Sequence, residues 1–478
     1  MERILSVEQM KKADEFTINT LGISSEDLVV RAGTAVADEI YKRLKGGRVL
    51  VCIGKGNNGA DGRVVAEVLS RIHGFTVATL NVSNGIFKLL DKDYDIIVDC
   101  IFGTGLNKPV EGKYKLAIEK INQSGAYVVS CDIPSGLNGN TGIPMGIAVK
   151  ANLTVAIQEY KLGHFLNDGP DYCGQVVVKD IGISVWGEDY FKRLNDVDLE
   201  KFFPERKRNV NKGSFGKTCV IGGSKSYPGS AVLSLLALTA LKMGNGYSNL
   251  AIPDSIFDAV SLKFPELTVT TLKSDGDKIL FDQEKLSTLL KYNAISFGMG
   301  VGVTKDNYQT IKYLLENYNG KLLIDADGLN TLSTYGVGIL KDKKCDVILT
   351  PHIKEFSRLI SKETSEIISQ TVPLAVEFAK EYDVTLVLKS STTVITDGNE
   401  FYLNTSGCSG LAKAGSGDIL SGIICGLLAG KQDAFDCAVA GCYLFGLAGE
   451  KASKNSNDFC MTATDVISAL PKVISKII

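Results

Sequence analysis

RVLVCIGKGNNGADG, residues 48–62, joins a near-continuous apolar run to a turn with three closely spaced glycines. Such apolar runs are typical of strands that helices cover on both faces of a sheet. The glycines let backbone N–H groups approach a phosphate closely, and a helix beginning within the turn supplies partial positive charge. The stretch therefore predicts a strand, an anion-binding turn and a helix, as in an open parallel α/β sheet.

The same alternation runs through most of the chain, in two series. After helices at Val7–Asn19 and Glu26–Leu44, further strands of the first series are predicted at 75–80, 94–100, 126–133, 151–157 and 175–181. In the second series, strands are predicted at 217–223, 247–253, 267–272, 294–298, 321–327, 346–350, 384–389 and 393–398. Its helices are predicted at Ser230–Met243, Asn307–Tyr318 and Ser365–Tyr382, and from Ser416 to the C-terminus.

Residues 186–213 interrupt this alternation with a proline, a basic cluster and no apolar strand. We therefore predict two α/β domains, 1–205 and 206–478. The second domain has the larger sheet, and it is not a detectable sequence repeat of the first.

Composition excludes several classes of protein. The 478 residues are 45% hydrophobic, and 52 Lys+Arg against 54 Asp+Glu give a net charge of −2. This is typical of a globular protein and not of a disordered one. No basic patch suggests nucleic acid, and no apolar stretch approaches the roughly 18 residues that span a bilayer. The charged N-terminus has no apolar signal region, so we expect a cytoplasmic protein with no membrane or nucleic-acid partner.

The 11 cysteines are scattered and form no CxxC pair or Cys/His cluster, which favours reduced structural thiols over zinc or disulfides.

Three strand ends of the first domain are rich in polar residues and glycines. After the turn at 54–62 come VDCIFGTGLNKPVEGKY (98–114) and CDIPSGLNGNTG (131–142). In a parallel sheet these ends share one edge, where ligands of open α/β sheets bind. Any one of them alone could be a capping Asp or a turn glycine, but three together favour a site. The first turn fits GxGxxG, yet no acid follows about 20 residues later, so a standard NAD site is not predicted.

In the second domain, KGSFGKT (212–218) lacks the first glycine of a P-loop and precedes a strand, so we reject it as a phosphate loop. The stronger candidate is NTSGCSGLAKAGSGDILSG (404–422), in which GSGD opens a helix. Backbone amides there can stabilise a transferred phosphoryl group, and Asp418 can take a proton from an attacking hydroxyl. The alternative is that Asp418 only complements the helix dipole.

These motifs together resemble the bifunctional NAD(P)H-hydrate repair enzymes. NNGADG, VDxxFGTG and DIPSGLNGNTG resemble the NAD(P)H-hydrate epimerase domain. The second half resembles the ADP/ATP-dependent NAD(P)H-hydrate dehydratases through six motifs in order: GGSKSYPGSAVLS (222–234), SFGMGVG (296–302), DADGLN (325–330), LTPHIKEFSRL (349–359), VLKSSTTVI (387–395) and GSGD (415–418). The resemblance implies a Rossmann-like three-layer domain followed by a ribokinase-like α/β domain.

For the first domain, the resemblance implies contacts to the hydrated nucleotide NAD(P)HX and a potassium site. The implied NAD(P)HX contacts are Asn57, Asn58, Gly59, Ala60, Asp61, Gly103, Thr104, Gly105, Leu106, Asn107, Lys108, Pro109, Tyr114 and Asp132. The implied potassium ligands are Asn58, Asp99 and Ser135. We expect Asp132 to shuttle the proton as the C6 hydroxyl leaves and water returns on the other face.

For the second domain, the resemblance implies that Ala231, Gly300, His352 and Asp418 contact NAD(P)HX, with Asp418 catalytic. Lys389, Ser390, Ser391, Thr392, Thr393 and Gly417 would hold ADP or ATP with magnesium. The implied reaction is phosphorylation of the C6 hydroxyl, loss of phosphate and loss of a C5 proton. The family also favours a homo-oligomer.

Two other functions fit parts of the sequence: a ribokinase-like small-molecule kinase, which would accumulate a phosphorylated product, and a binding protein that has lost activity. Of the histidines, only His352 belongs to a matched motif. His73 is expected to be structural, and His164 has no sequence partner that would suggest a role.

Overall fold

The computed structural model describes residues 2–85, 90, 93–187, 190–193, 196–233, 242–261, 268–430 and 432–477. The chain forms two compact units, Arg3–Phe191 and Lys192–Ile478, the second of which includes Glu2.

The first unit contains a six-stranded parallel sheet. The sheet strands are β2 (Gly47–Ile53), β3 (Phe75–Asn81), β4 (Ile96–Cys100), β5 (Tyr127–Cys131), β6 (Leu153–Ile157) and β8 (Gln175–Lys179), and two short strands, β1 (Glu2–Leu5) and β7 (Tyr160–Lys161), lie outside it. The order in the sheet is β3-β2-β4-β5-β6-β8, and β1 pairs separately with β7. Because β2, β4 and β5 are parallel neighbours, the three strand ends singled out in the sequence meet at one edge, as predicted.

The helices of this unit cover both faces of the sheet. They span Val7–Asn19, Ser25–Leu44, Asn57–Ser70, Gly112–Gln123 and Gly169–Cys173. Alternate residues of β2 point to opposite sides, as the pleat requires. Val49 and Val51 belong to a buried cluster with Ile40, whereas Leu50 belongs to a cluster on the other side with Ile118. The unit is therefore a three-layer, Rossmann-like α/β fold.

The second unit is built on a longer sheet. Its strands are β9 (Phe191–Arg193), β10 (Lys217–Ile221), β11 (Tyr247–Pro253), β12 (Thr268–Leu272), β13 (Ser274–Asp275), β14 (Lys278–Ile279), β15 (Ala294–Phe297), β16 (Lys321–Ile324), β17 (Asp346–Leu349), β18 (Thr385–Leu388), β19 (Thr393–Thr396) and β20 (Phe401–Asn404). The order is β12-β11-β10-β15-β16-β17-β18-β19-β20, parallel up to β18 and antiparallel beyond it, and β13 and β14 form a separate hairpin.

The helices of the second unit span Pro228–Leu233, Phe257–Ser261, Gln283–Leu289, Lys305–Asn317, Asp327–Tyr335, Ile353–Ile360, Thr364–Ser369, Thr371–Tyr382, Ser416–Leu428, Ala434–Ser456 and Ala463–Ile474. Residues 234–241 of the helix predicted at Ser230–Met243 lie outside the described part of the chain. Within the described ranges, no helix is both long and apolar enough to cross a membrane.

The short strands β1, β7, β9, β13, β14 and β20 were not predicted from the sequence, and the domain boundary and one helix differ from the predictions. The units divide between Phe191 and Lys192, ahead of the predicted 205/206 boundary, because Leu199 and Phe202 belong to the buried core of the second unit. The predicted helix Ser365–Tyr382 is two helices separated at Gln370, whose ψ of 35° is not helical. Pro373 accounts for the break, since proline has no N–H to donate and fits only the first turn of a helix.

Candidate functional site

The carboxyl ends of β2, β4 and β5 open into a cavity of about 590 Å³ in the first unit. It contains ten of the fourteen residues expected to contact the hydrated nucleotide: Asn57, Asn58, Asp61, Gly103, Thr104, Gly105, Leu106, Asn107, Tyr114 and Asp132. Gly59, Ala60, Lys108 and Pro109 are not among its lining residues. The structure therefore brings most of the expected contacts into one space.

The glycine-rich turn is held tightly because two of its glycines touch. A Cβ on Gly59 would lie 2.1 Å from the carbonyl oxygen of Gly54, so only glycine fits at this position. Gly56 is the N-cap of the helix Asn57–Ser70, and no side chain described in the structure caps it. The first N–H groups of this helix are therefore available to an anionic ligand beside the cavity.

A buried polar network lies behind the cavity, around Asp99. Its carboxylate accepts from the Ser135 hydroxyl at 2.6 Å, from the Ser135 amide at 2.8 Å and from the Ser130 hydroxyl at 2.9 Å. Asn58 donates to the Phe102 carbonyl at 2.7 Å, whereas its Oδ1 is buried and has no partner among the described residues. Burial raises the pKa of Asp99 in spite of the hydrogen bonds it accepts.

This network fits a hard monovalent cation such as potassium. It offers the unpaired amide oxygen of Asn58, a carboxylate and a hydroxyl, which are the oxygen ligands that hard cations prefer. Among the described residues there is no group of three or more His, Cys, Asp or Glu side chains that could hold a metal ion.

Two carboxyl groups in the cavity have different surroundings. The Asp132 carboxylate forms an ion pair with the buried ammonium group of Lys161. For Asp61, burial and the nearby charge of Asp132 raise the pKa to about 7. Of these two cavity groups, Asp132 is therefore held in a salt bridge, whereas the pKa of Asp61 lies near neutral pH.

Lys161 was not identified from the sequence, and neither was the N-terminal helix as part of the site. Val7, Met10, Lys11 and Asp14 of that helix line the cavity. The helix is tied to the third strand end by Asn140, whose Oδ1 accepts from the Val7 amide at 2.7 Å. This contact joins residues 133 positions apart, so no local sequence pattern indicates it.

In the second unit, GSGD opens a helix as predicted. Gly415 is the N-cap of Ser416–Leu428, and its φ of 88° is a conformation that favours glycine. Asp418 lies in the first turn of this helix. Burial, together with the charge of Asp325, raises the pKa of Asp418 to about 7. A carboxyl group whose pKa is near 7, at a helix N-terminus, can accept a proton from a hydroxyl.

Asp325, from the DADGLN motif, is buried next to this helix. Its Oδ1 pairs with the Lys389 ammonium at 2.9 Å, and its Oδ2 accepts from the Ser421 hydroxyl at 2.5 Å. Burial acts to lower the pKa of Lys389, but attraction to Asp325 and Glu355 outweighs it and raises that pKa. Lys389, expected to contact the nucleotide, is therefore also paired with Asp325, a residue to which the sequence analysis assigned no role of its own.

His352 is the N-cap of the helix Ile353–Ile360. Its Nδ1 accepts from the Glu355 amide at 3.1 Å, and its own amide donates to the Glu355 carboxylate at 2.8 Å. Burial and the positive charge of Lys389 lower the pKa of His352, which favours a neutral ring. Since Nδ1 is an acceptor here, the proton of the neutral ring is on Nε2, and His352 can offer an N–H donor to a ligand.

The remaining expected contacts lie on loops and helix ends of the same unit. Gly300 has a φ of 71°, and a Cβ there would come within 2.8 Å of the Ser230 Cβ. It therefore lies against the helix Pro228–Leu233, which contains Ala231. Residues 389–392 form the turn between β18 and β19, and Thr393 begins β19. A Cβ on Gly417 would lie 3.5 Å from the Lys389 ammonium.

The folds and sites define a two-domain α/β protein whose units each place amide-rich strand ends and a carboxyl group at a candidate ligand site. Residues 25–88 and 80–163 match the YjeF-related protein N-terminus family, and residues 218–472 match the NAD(P)H-hydrate dehydratase family. The chain is 32% identical to the bifunctional NAD(P)H-hydrate repair enzyme Nnr of Thermofilum pendens, over 99% of this chain and 96% of the relative. This protein belongs to the bifunctional NAD(P)H-hydrate repair enzyme family.

Solved structures agree on the fold of the second unit. The Bacillus subtilis ADP/ATP-dependent NAD(P)H-hydrate dehydratase, co-crystallised with ATP/Mg²⁺, is 24% identical with a TM-score of 0.52. That likeness covers 60% of this chain and 99% of the dehydratase. A ribokinase-like superfamily protein of Enterococcus faecalis is 25% identical with the same TM-score, over 60% of this chain and 96% of its own. The second unit therefore has the ribokinase-like fold.

Proposed function

We propose that this protein repairs hydrated NADH and NADPH, with an epimerase site in Arg3–Phe191 and a nucleotide-dependent dehydratase site in Lys192–Ile478. The observation that carries the proposal is the cavity of about 590 Å³, which gathers ten expected substrate contacts from three strand ends. Family membership supports the pairing of the two activities in one chain. The substrates would be NADHX and NADPHX, with ADP or ATP as the phosphoryl donor.

For the epimerase, the proposed chemistry inverts one carbon. The nitrogen lone pair of the hydrated nicotinamide ring expels the C6 hydroxyl, which takes a proton and leaves as water. Water then attacks the resulting iminium from the opposite face and gives up a proton. Asp132 is the proposed proton carrier because it lines the cavity and is anchored by Lys161. Asp61 lines the same cavity, and its pKa of about 7 would let it exchange protons near neutral pH.

Potassium is the proposed ion of this unit, with Asn58, Asp99 and Ser135 as its ligands. The unpaired Asn58 oxygen and the Asp99 carboxylate supply donors of the required type. A bound cation would supply positive charge at the strand ends and fix the two loops around it. Because a ligand of the folded state raises its stability, the melting temperature should rise with added KCl more than with LiCl. Asn58→Leu should remove that difference.

For the dehydratase, the proposed base is Asp418. It accepts the proton of the C6 hydroxyl as that oxygen attacks the terminal phosphorus of the donor nucleotide, whose bridging P–O bond breaks. Phosphate then leaves C6 with its bonding electrons as the ring nitrogen forms the iminium. Loss of a C5 proton restores the C5=C6 double bond. The N-terminus of Ser416–Leu428 would stabilise charge on the transferred phosphoryl group.

The nucleotide is proposed to bind at residues 389–393 and Gly417 with magnesium, and the hydrate at Ala231, Gly300, His352 and Asp418. The closeness of Lys389 and Gly417 supports this assignment, since a Cβ on Gly417 would lie 3.5 Å from the Lys389 ammonium. Magnesium would neutralise phosphate charge when bound with the nucleotide. We further propose a cytoplasmic homo-oligomer.

The test uses the full chain and a mixture of R and S hydrates with ADP, Mg²⁺ and KCl. Wild type should convert all of the mixture to NADH with release of free phosphate. Asp132→Asn should convert only the S fraction during the time in which spontaneous epimerisation is negligible. Asp418→Asn should form no NADH but should still interconvert the epimers. Accumulation of a stable phosphorylated compound would instead identify a kinase, and an unchanged mixture would refute the repair activity.

A further inference from the structure

Asp132 has an unusual backbone conformation for a residue with a side chain. Its φ is 66°, in the left-handed region that favours glycine. Two hydrogen bonds hold it there: its amide donates to the Val155 carbonyl at 2.8 Å, and its carbonyl contacts His164 Nε2 at 2.9 Å. Such a conformation persists only where the surrounding contacts determine it, so those contacts decide where the carboxyl group points.

His164 is suited to this position because only one of its tautomers satisfies both neighbours. Its Nδ1 lies 3.1 Å from the Lys161 amide, which can only donate, so Nδ1 must be an acceptor. Burial, followed by the charge of Lys161, lowers the pKa of His164 to about 4, which keeps the ring neutral. Its proton is therefore on Nε2 and is donated to the Asp132 carbonyl.

Lys161 holds the side chain of the same aspartate. Its side chain is only 1% exposed, and its ammonium contacts the Asp132 carboxylate and donates to the Ile157 carbonyl at 2.6 Å. The Ile157 amide donates to the same Asp132 oxygen at 3.1 Å. Lys161 therefore anchors the carboxylate, while its own amide orients His164. Together, His164 holds the backbone of Asp132 and Lys161 holds its side chain.

We infer that Lys161 and His164 are positioning residues for the epimerase, which fix the orientation of Asp132 at the cavity. This inference rests on the proposed epimerase function. A carboxylate that must accept a proton on one face of a planar iminium needs a fixed position, because small displacements lower the rate strongly. The ion pair restricts the carboxylate, and the His164 hydrogen bond keeps the backbone in the conformation that presents it.

The test compares Lys161→Ala and His164→Leu with two matched controls, Lys150→Ala and His73→Gln, whose parent side chains are exposed. Epimerase kcat should fall by on the order of 10²-fold in the first two variants, with little change in KM. The controls should keep wild-type kcat. Circular dichroism and thermal unfolding of the same full-length chains report whether each variant is folded. Dehydration of the S hydrate should be unchanged, since its proposed site lies in the other unit.

Two further measurements separate positioning from a merely structural role. Methylammonium added to Lys161→Ala should restore part of the epimerase kcat, because Lys161 lines the cavity and a small cation can enter there. His164→Gln, which keeps a donor for the Asp132 carbonyl, should be faster than His164→Leu. If a variant loses both epimerase and dehydratase activity, the methylammonium rescue and the comparison of His164→Gln with His164→Leu decide between a positioning and a structural role.

Wild-type kcat in folded Lys161→Ala and His164→Leu would overturn the inference while leaving the proposed epimerase intact. The inference would also be overturned if the variants lost epimerase and dehydratase activity equally, methylammonium did not restore Lys161→Ala, and His164→Gln was no faster than His164→Leu. Absence of epimerase activity in the wild type would instead refute the proposed function itself.

Discussion

The ammonium group of Lys389 lies 2.9 Å from Oδ1 of Asp325, and the pair sits where the helix Ser416–Leu428 begins. Asp325 is 2% exposed, and its second oxygen accepts from Ser421 of that helix. The pair therefore links the 389–392 turn to the helix that carries Asp418. One buried carboxylate thus connects the proposed nucleotide loop with the proposed base.

Breaking this ion pair should destabilise the second unit. In Asp325→Leu, the Lys389 side chain, which is 19% exposed, loses its paired carboxylate. This should lower the free energy of unfolding by about 3 kcal/mol, the lower end of the range for breaking a buried pair. The double variant Asp325→Leu/Lys389→Met removes both charges and should recover most of that loss. Denaturant unfolding of the three chains measures the difference. If Asp325→Leu were as stable as Asp325→Leu/Lys389→Met, the unpaired Lys389 charge would carry no cost and the prediction would be wrong.

The pH profile of dehydratase kcat/KM should fall on its acidic side at a pH near neutrality. The pKa of Asp418 is raised to about 7 by burial and by Asp325, so below that pH the carboxyl is protonated and cannot accept a proton. The kcat/KM for the S hydrate should therefore rise as pH increases through about 7 and level off above it. Asp325→Asn removes the repulsion between the carboxylates and should move this fall to lower pH. A fall near pH 4 in the wild type, where an ordinary aspartate ionises, would contradict this assignment.

The glycine-rich turn gives a matched pair of substitutions. In Gly59→Ala the new Cβ would meet the Gly54 carbonyl oxygen at 2.1 Å, and because both partners are backbone, the turn must move. The free energy of unfolding should fall by about 1–3 kcal/mol. Gly56→Ala meets nothing within 4 Å at a φ of −88°, and its stability should change by less than about 0.5 kcal/mol. Equal unfolding curves for the two variants would refute the close packing of this turn.

Much of the fold was predictable because local patterns determine it. The apolar runs located most strands of both sheets to within a few residues, although β20 was not predicted. The convergence of the 54–62, 98–114 and 131–142 segments follows from parallel order alone. The short strands β1, β7 and β9 were not predicted. Two to four residues carry too little pattern, and their pairing depends on distant partners such as Leu5 with Lys161. The domain boundary differed because packing of Leu199 and Phe202 is also a long-range property.

The candidate site was predictable only where glycines or acids follow strands. Lys161 and His164 lie 29 and 32 residues from Asp132, in a segment without glycine spacing or a charge pattern to mark them. The raised pKa of Asp61 depends on burial and on the approach of Asp132, which the sequence does not contain. Motifs therefore indicated the loops that line the cavity. The residues that orient Asp132 and that raise the pKa of Asp61 were found only in the tertiary structure.

The contact between Asn140 and the N-terminal helix gives a last prediction. Besides accepting from the Val7 amide, Asn140 donates to the Glu8 carboxylate at 2.9 Å, so it holds the first turn of a helix whose side chains line the cavity. Asn140→Ala should free that turn and raise the epimerase KM more than it lowers kcat, because the helix walls the cavity without carrying the proposed proton carrier.

Hydrogen exchange provides the direct measurement for this variant. The amides near Val7 and Met10 should exchange faster in Asn140→Ala, while those of the sheet, such as Val98, stay protected. Ser6→Ala is the matched control, since it removes the side-chain cap of the same helix at the Gln9 amide but leaves the Asn140 contact. A higher KM in Ser6→Ala equal to that in Asn140→Ala would attribute the effect to fraying of the helix alone. A higher KM only in Asn140→Ala would attribute it to the tether between the third strand end and the cavity wall.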